Sequence, residues 1–204
     1  ALAEIRTSGE EVQLTRTGQF NFPDGCTLEE PEELGRALSD FLTEQGFSAG
    51  QAVLGIPAKW FVARQKRVPS GRGQSTADIL RLQAERDFST PLEDLAMDYV
   101  PSGDSGDKNS VLLVAAQRPR LEAAVAMARE AGLKVKAVTS SGMALAAAGD
   151  VNHSKSSCTL YVHPDGADSI VRDGRHFRMV RHLPVKERAG SGPDDRSRGL
   201  AGQM

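Results

Sequence analysis

The sequence of 204 residues predicts a mixed α/β protein. Two apolar runs, Ala52–Ile56 and Ser110–Ala116, have the length and composition of buried strands. Elsewhere the apolar positions recur at three- and four-residue spacing, most clearly from Pro31 to Gln45, as amphipathic helices require. Strands and helices alternate, but not as a regular strand–helix–strand ladder, which favours a mixed architecture.

The first quarter of the chain predicts a hairpin, a helix and a strand. Apolar positions in Ala1–Ile5 and Val12–Leu14 flank the polar stretch at residues 7–10, which indicates a hairpin. The helix over Pro31–Gln45 has glutamates near its start, where they suit the helix dipole, and Gly46 at its end. The buried strand Ala52–Ile56 then stops at a proline.

The middle of the chain predicts a strand, a helix and two further strands. Phe61–Val68 alternates apolar and basic residues, as a half-exposed strand does. Thr76 or Asp78 is expected to cap the helix, and the strands Leu95–Val100 and Ser110–Ala116 follow. Because these four elements could be removed together, we predict an inserted subdomain at residues 57–116. The inward face of its helix would consist of Ile79, Leu82 and Phe88.

The sequence after residue 116 predicts helices and strands that complete the core begun by residues 1–56. Gly166 and Asp173-Gly174 are expected to be turns. We predict a core subdomain from residues 1–56 and 117–184, and a disordered or incomplete tail over residues 185–204. The predicted elements are the helices Leu121–Ala131 and Ser141–Ala148 and the strands Val135–Val138, Thr159–Val162 and Phe177–Leu183.

Composition excludes several classes of function. A net charge of -2 gives no electrostatic reason to expect nucleic-acid binding. Cys26 and Cys158 are far apart, so we expect no disulfide framework and a reducing compartment. The longest apolar stretch, Val111–Ala116, is too short to insert directly into a membrane. Because the chain starts at Ala1 without methionine, we expect a fragment or a processed product.

Three segments, in this order, carry a family resemblance. They are Val53–Pro57 with Phe61–Pro69, then Leu82–Tyr99, then Val111–Ala116 followed by Ala131–Val135. Together they resemble the PilM family of type IV pilus assembly proteins, which is related to FtsA in the actin-like superfamily. The resemblance implies an actin-like (ribonuclease H-like) core, incomplete in this chain, that carries an inserted strand-helix-strand-strand subdomain.

The resemblance also indicates where nucleotide chemistry would be expected. Actin-like ATPases hold phosphates between two hairpin loops that offer acidic residues and glycine amides. The first loop would precede Ala1, and the second would follow Thr159–Val162, where Asp165 and Gly166 are the candidate nucleotide-binding residues. Pro164 removes an amide donor there, so an ordinary tight turn is the alternative. We therefore expect no cofactor in this chain, while ATP and Mg remain an option for a full-length parent.

Other site chemistry finds no support in the sequence. The four histidines lack helical i, i+4 spacing and a nearby cysteine pair, so no metal site is predicted. His176 and His182 flank an alternating strand and are expected on the surface. The carboxylate pairs, such as Glu85 and Asp87, fall on solvated positions, so no catalytic residue is predicted and an enzyme is not expected. The histidines are His153, His163, His176 and His182.

The resemblance implies a cytoplasmic scaffold of a type IV pilus or type II secretion-like machine, peripheral to the inner membrane. Its partner would be the cytoplasmic tail of a membrane-anchored pilus or secretion protein, with self-association through the inserted subdomain as a further option. Two alternatives stay open. One is a nucleotide-regulated actin-like ATPase whose phosphate loops lie outside this chain, and the other is an unrelated α/β module that binds a small molecule.

Overall fold

The computed structural model describes residues 1–9, 11–69, 75–103, 109–149, 156–164 and 166–184. The helices are α1 (Pro31–Glu44), α2 (Thr76–Asp87), α3 (Arg118–Glu130) and α4 (Ser141–Gly149). The strands are β1 (Leu2–Ser8), β2 (Glu11–Gly18), β3 (Gln51–Ile56), β4 (Phe61–Arg67), β5 (Leu95–Pro101), β6 (Ser110–Gln117), β7 (Lys134–Ser140), β8 (Ser156–His163), β9 (Gly166–Asp173) and β10 (His176–Pro184). In these ranges no helix has the length and apolar character needed to cross a bilayer.

The chain divides into two compact units. The first contains residues 1–55 and 117–139, and the second contains residues 56–116 together with the described residues from 140 onward. Two boundaries of these units, near residues 56 and 116, agree with the predicted domain boundaries. The units differ from the prediction in that the described residues from 140 onward belong with the middle of the chain. The predicted core and inserted subdomain thus stay a prediction, and the predicted tail lies outside the described residues.

The first unit is built from the β1–β2 hairpin, the β3–β7 pair and two packed helices. β1 and β2 are antiparallel, with Ser8 opposite Glu11 at the turn, which confirms the predicted hairpin. Helix α1 packs against α3 at Gly35, where an added Cβ would lie 2.8 Å from the Met127 carbonyl oxygen. Gly46 ends α1 with φ of 69°, as predicted. The core contains Leu38, Leu42 and Ala131, with Phe20, Phe41 and Phe47 packed around them.

The second unit contains the three-stranded sheet β4–β6–β5, in which the buried strand β6 is central. Helix α2 covers it by packing Leu80 and Ala84 against Val111 and Leu113. The predicted inward position of Leu82 is wrong, because this side chain is 53% exposed. Leu80 and Ala84, one turn apart, define the buried face instead.

The N-terminal cap of α2 also differs from the prediction. Ser75, and not Thr76 or Asp78, occupies the cap position, with extended backbone angles that a cap residue needs. Its hydroxyl oxygen accepts a hydrogen bond from the Asp78 amide at 3.1 Å. Thr76 is already the first helical residue, so its side chain stands one position too late to cap the helix.

The second unit also contains the three-stranded sheet β10–β9–β8. The sequence predicts only turns between β8 and β10, so the strand β9 was not predicted. This strand is buried along almost its whole length and forms the centre of the sheet. Its polar residues, among them Asp168, Ser169 and Arg172, conceal the apolar pattern by which a buried strand is recognised.

Candidate functional site

The pairing of β8, β9 and β10 gathers three polar side chains on one face of their sheet. Asp168 on β9 is directly opposite His182 on β10 and Tyr161 on β8. Directly opposite residues of antiparallel strands point to the same face, and so do residues two positions apart along a strand. His163, two residues after Tyr161, therefore joins Asp168 and His182. We call these three residues the His–Asp–His cluster.

The carboxylate of Asp168 is the centre of the cluster. Its Oδ1 accepts hydrogen bonds from His182 Nδ1 at 2.9 Å and from His163 Nε2 at 3.4 Å. Its Oδ2 accepts a hydrogen bond from the Ala58 amide at 3.0 Å. The carboxylate is fully buried, and the side chains of His163 and His182 are only 13% and 17% exposed. Both carboxylate oxygens are thus occupied, as a buried charge requires.

The imidazole rings are held by contacts with their neighbours. The rings of His163 and His182 are stacked, with centroids 5.5 Å apart, and Tyr161 packs at 5.6 Å from His163. Gly166, with φ of 145°, makes room beside them. A Cβ at this position would overlap the Leu183 carbonyl oxygen and would lie 3.2 Å from Cε1 of His182. A residue with a side chain would therefore disturb both the strand pairing and the ring.

The hydrogen bonds of Asp168 determine its charge. Burial by itself raises the pKa of this carboxyl group, but the hydrogen bonds from His182, the Ala58 amide and His163 outweigh it and lower the pKa below its usual value. Asp168 is therefore an ionised acceptor inside the protein.

Helix α4 covers the same face of the sheet. Gly142 lies so close to it that an added Cβ would be 2.9 Å from Cδ1 of Ile170. Arg172 donates a hydrogen bond to the Ala146 carbonyl oxygen at 2.8 Å. The helix thus keeps water away from the central strand and fixes the face that carries Asp168.

Of the two predicted nucleotide-binding residues, the structure describes only Gly166. Asp165 lies outside the described residues, while Gly166 begins β9 and pairs with His163, the last residue of β8. A nucleotide-binding role for Asp165 and Gly166 stays a prediction. Of the histidines, His153 also lies outside the described residues.

The prediction that His182 is a surface residue is wrong, because its ring packs against His163 and bonds to buried Asp168. The cluster was missed because its members come from three strands, and a search for helical i, i+4 spacing cannot find them. One signal was available: His163 and Asp168 are only five residues apart, and the register that pairs His163 with Gly166 places both on one face. The donor atoms of the cluster all lie within 4.8 Å of one another, a geometry that can hold a metal ion.

The described elements define a mixed α/β protein, which confirms the predicted α/β class. The chain belongs to the family of the type IV pilus assembly protein PilM, whose sequence model matches residues 1–158. The predicted family resemblance is therefore confirmed. Among curated proteins, none matches the sequence.

Solved structures with a similar fold include members of two assembly systems. One is a PilM-PilN type IV pilus biogenesis complex, with a TM-score of 0.75, 19% identity and coverage of 89% of this chain and 57% of that chain. Another is the cytoplasmic domain of EpsL, an inner membrane component of the type II secretion system of Vibrio cholerae, with a TM-score of 0.57, 16% identity and coverage of 87% and 64%. A Bacteroides thetaiotaomicron protein with an actin-like ATPase fold and unknown function is more distant, with a TM-score of 0.47, 10% identity and coverage of 91% and 70%. This chain thus spans less than two thirds of the first two structures.

Proposed function

We propose that this chain is part of a cytoplasmic scaffold of a type IV pilus or type II secretion-like assembly machine, peripheral to the inner membrane. In this proposal it docks the cytoplasmic tail of a membrane-anchored partner. Membership of the PilM family supports the proposal. The similar folds of a PilM-PilN complex and of an inner membrane secretion component point in the same direction.

The observation that carries the docking proposal is an exposed apolar surface on the β1–β2 hairpin. Ile5, Val12 and Leu14 are 58%, 64% and 59% exposed. Ile5 is opposite Leu14, and Val12 is opposite Thr7, so the three apolar side chains share one face of the hairpin. We call Ile5, Val12 and Leu14 the hairpin strip. Contiguous exposed apolar side chains of this kind mark interaction surfaces.

The opposite face of the hairpin is attached to its own unit by polar contacts. Glu4 accepts hydrogen bonds from the amide and the hydroxyl of Ser48, at 3.0 and 2.7 Å. Arg16 donates a hydrogen bond to the Gln45 carbonyl oxygen at 2.7 Å and lies over the ring of Phe47. The hairpin is therefore held by one face, while the hairpin strip stays exposed among the described residues.

An extended peptide suits this surface for two reasons. β1 and β2 form a two-stranded sheet among the described residues, so main-chain groups at its edges are available to a further strand. A strand added there presents alternate side chains to each face, and apolar residues at every second position would cover the hairpin strip. A short tail with alternating apolar residues is the occupant we propose.

The test is a binding measurement with a labelled synthetic peptide. Its sequence would be the cytoplasmic tail of the single-pass membrane protein encoded beside this gene, and fluorescence anisotropy would give its Kd. Full burial of a leucine side chain contributes about 1.5–3 kcal/mol. With 59% of Leu14 available, Leu14→Asp should cost roughly 1–2 kcal/mol, or about 5- to 30-fold in Kd.

Gln13→Asp is the matched control, because Gln13 is the exposed neighbour on the opposite face and receives the same charge. The control should bind the peptide as the wild type does, and both variants should keep the wild-type melting temperature. Equal Kd values for the two variants would contradict a role of the hairpin strip. If Leu14→Asp instead lowers the melting temperature, the Leu14 side chain is needed for the fold itself, and this docking site is wrong.

A further inference from the structure

We propose that the His–Asp–His cluster binds a divalent transition-metal ion, with Zn²⁺ as the best match, and that the ion connects β8, β9 and β10. Two imidazole nitrogens and one carboxylate oxygen are a frequent ligand set for zinc. Mg²⁺ and Ca²⁺ prefer sites made of oxygen ligands, so two imidazoles select against them. This site is independent of the hairpin strip, which belongs to the other unit.

The distances in the cluster are those of a site that needs only small movements. In a tetrahedral zinc site with bonds of about 2.0–2.2 Å, neighbouring ligand atoms are roughly 3.3 Å apart. Here Oδ1 of Asp168 is 2.9 Å from His182 Nδ1 and 3.4 Å from His163 Nε2, and all donor atoms lie within 4.8 Å of one another. To admit the ion, the two histidine rings must turn so that their ligand nitrogens move by up to about 1 Å.

The second oxygen of Asp168 is already oriented by the protein. The Ala58 amide donates to Oδ2 at 3.0 Å, which leaves Oδ1 directed at the two imidazoles. Metal-binding carboxylates generally have such an outer partner, and it aligns the ligand and preserves its charge. Burial of all three side chains also reduces competition from water for the metal.

Metal binding changes the proton positions in a defined way. Without metal, His163 Nε2 and His182 Nδ1 carry the protons that they donate to Asp168. To bind the metal, each of these nitrogens must present a lone pair, so it gives up the proton that it donates to Asp168, either to solvent or, by exchange with solvent, to the other nitrogen of the same ring. The three ligands leave a fourth coordination position for water. No redox change is involved.

The test uses the full chain, first freed of metal by chelator and dialysis. Zn²⁺ is titrated calorimetrically, and Co²⁺ is added separately as a spectroscopic probe. We expect a single Zn²⁺ ion per chain, visible d–d absorption of four-coordinate Co²⁺, and a higher melting temperature with Zn²⁺ than without it. His163→Gln and His182→Gln should each weaken Zn²⁺ binding by more than the roughly 10- to 100-fold that is typical for loss of an outer partner.

His176→Gln is the matched control, because His176 is on the same strand as His182 but outside the cluster. It should bind Zn²⁺ as the wild type does. Wild-type protein that neither binds Zn²⁺ nor gives the Co²⁺ spectrum would overturn the proposal and leave a hydrogen-bonded network only. Equal loss of Zn²⁺ binding in all three variants would overturn it as well. Because the Co²⁺ spectrum is recorded on wild-type protein, a variant that fails to fold does not affect this part of the test.

Discussion

Replacement of Gly35 by alanine tests the packing of α1 against α3. An added Cβ would overlap Cβ of Glu130 and would lie 2.7 Å from its Cγ and 2.8 Å from the Met127 carbonyl oxygen. The outer part of the Glu130 side chain can move, but its Cβ and the Met127 carbonyl oxygen are fixed by the backbone and cannot move without separating the two helices. Overpacking of this kind costs about 1–3 kcal/mol. Alanine is more favourable than glycine in a helix interior by about 0.5–1 kcal/mol, which offsets part of this cost. The free energy of unfolding should therefore fall by roughly 1–2 kcal/mol.

The assay is thermal unfolding followed by circular dichroism. A loss of 1 kcal/mol lowers the melting temperature by about 2–4 °C in a protein of this size, so Gly35→Ala should melt roughly 2–8 °C below the wild type. Gly149→Ala is the control, because Gly149 is also helical but an added Cβ there would have no atom of the described residues within 4 Å. It should melt at or slightly above the wild-type temperature. A Gly35→Ala protein that is as stable as Gly149→Ala would refute the close approach of the two helices.

Three further predictions address the cap, the acid response and the nucleotide. Ser75→Ala should destabilise the protein by about 1 kcal/mol in urea unfolding, whereas Thr76→Ala should change stability by less than about half of that. Hydrogen bonds from the amide and hydroxyl of Ser48 lower the pKa of Glu4, so its contribution is present above the unfolded-state pKa and is lost as pH falls through the folded-state pKa. The stability difference between wild type and Glu4→Gln, measured by urea unfolding, should therefore shrink in acid; a constant difference would contradict this. In calorimetry we expect Mg-ATP not to bind this chain, and micromolar binding that Asp165→Ala abolishes, here or in any longer protein that contains the chain, would favour the ATPase alternative.

The sequence predicted the elements whose apolar residues follow one clear period. Helix α1 and strand β6 were found with boundaries close to those of the structure, because their side chains are buried on one stripe and on both faces, respectively. Strand β9 was missed, since its burial includes Asp168 and Arg172. A polar residue in a strand is read as exposed unless its partner is known. Here the partners are His182 and the Ala146 carbonyl oxygen, distant in sequence.

The site could not be predicted for a related reason. Each ligand pair in the His–Asp–His cluster depends on the register of two strands, and the register follows from the hairpin turns and the packing of α4. The family resemblance did not help, because it directed attention to the turn at Asp165 and Gly166. Asp168, the centre of the His–Asp–His cluster, lies on β9 only two residues after Gly166. A test of each strand register for facing histidines and carboxylates would have found it.

Asp168 also explains why the three strands adopt a single register. A buried carboxylate that loses its partners costs several kcal/mol, far more than the exchange of one apolar contact for another. A slip of one residue between β9 and either neighbour would turn Asp168 to the face opposite its histidine. It would lose the hydrogen bond from His182 or from His163, and with it the compensation of its charge. Because β9 is buried on both faces, a slip moves its apolar side chains from one buried face to the other. We therefore infer that the buried carboxylate, more than the apolar residues, determines the alignment of this sheet.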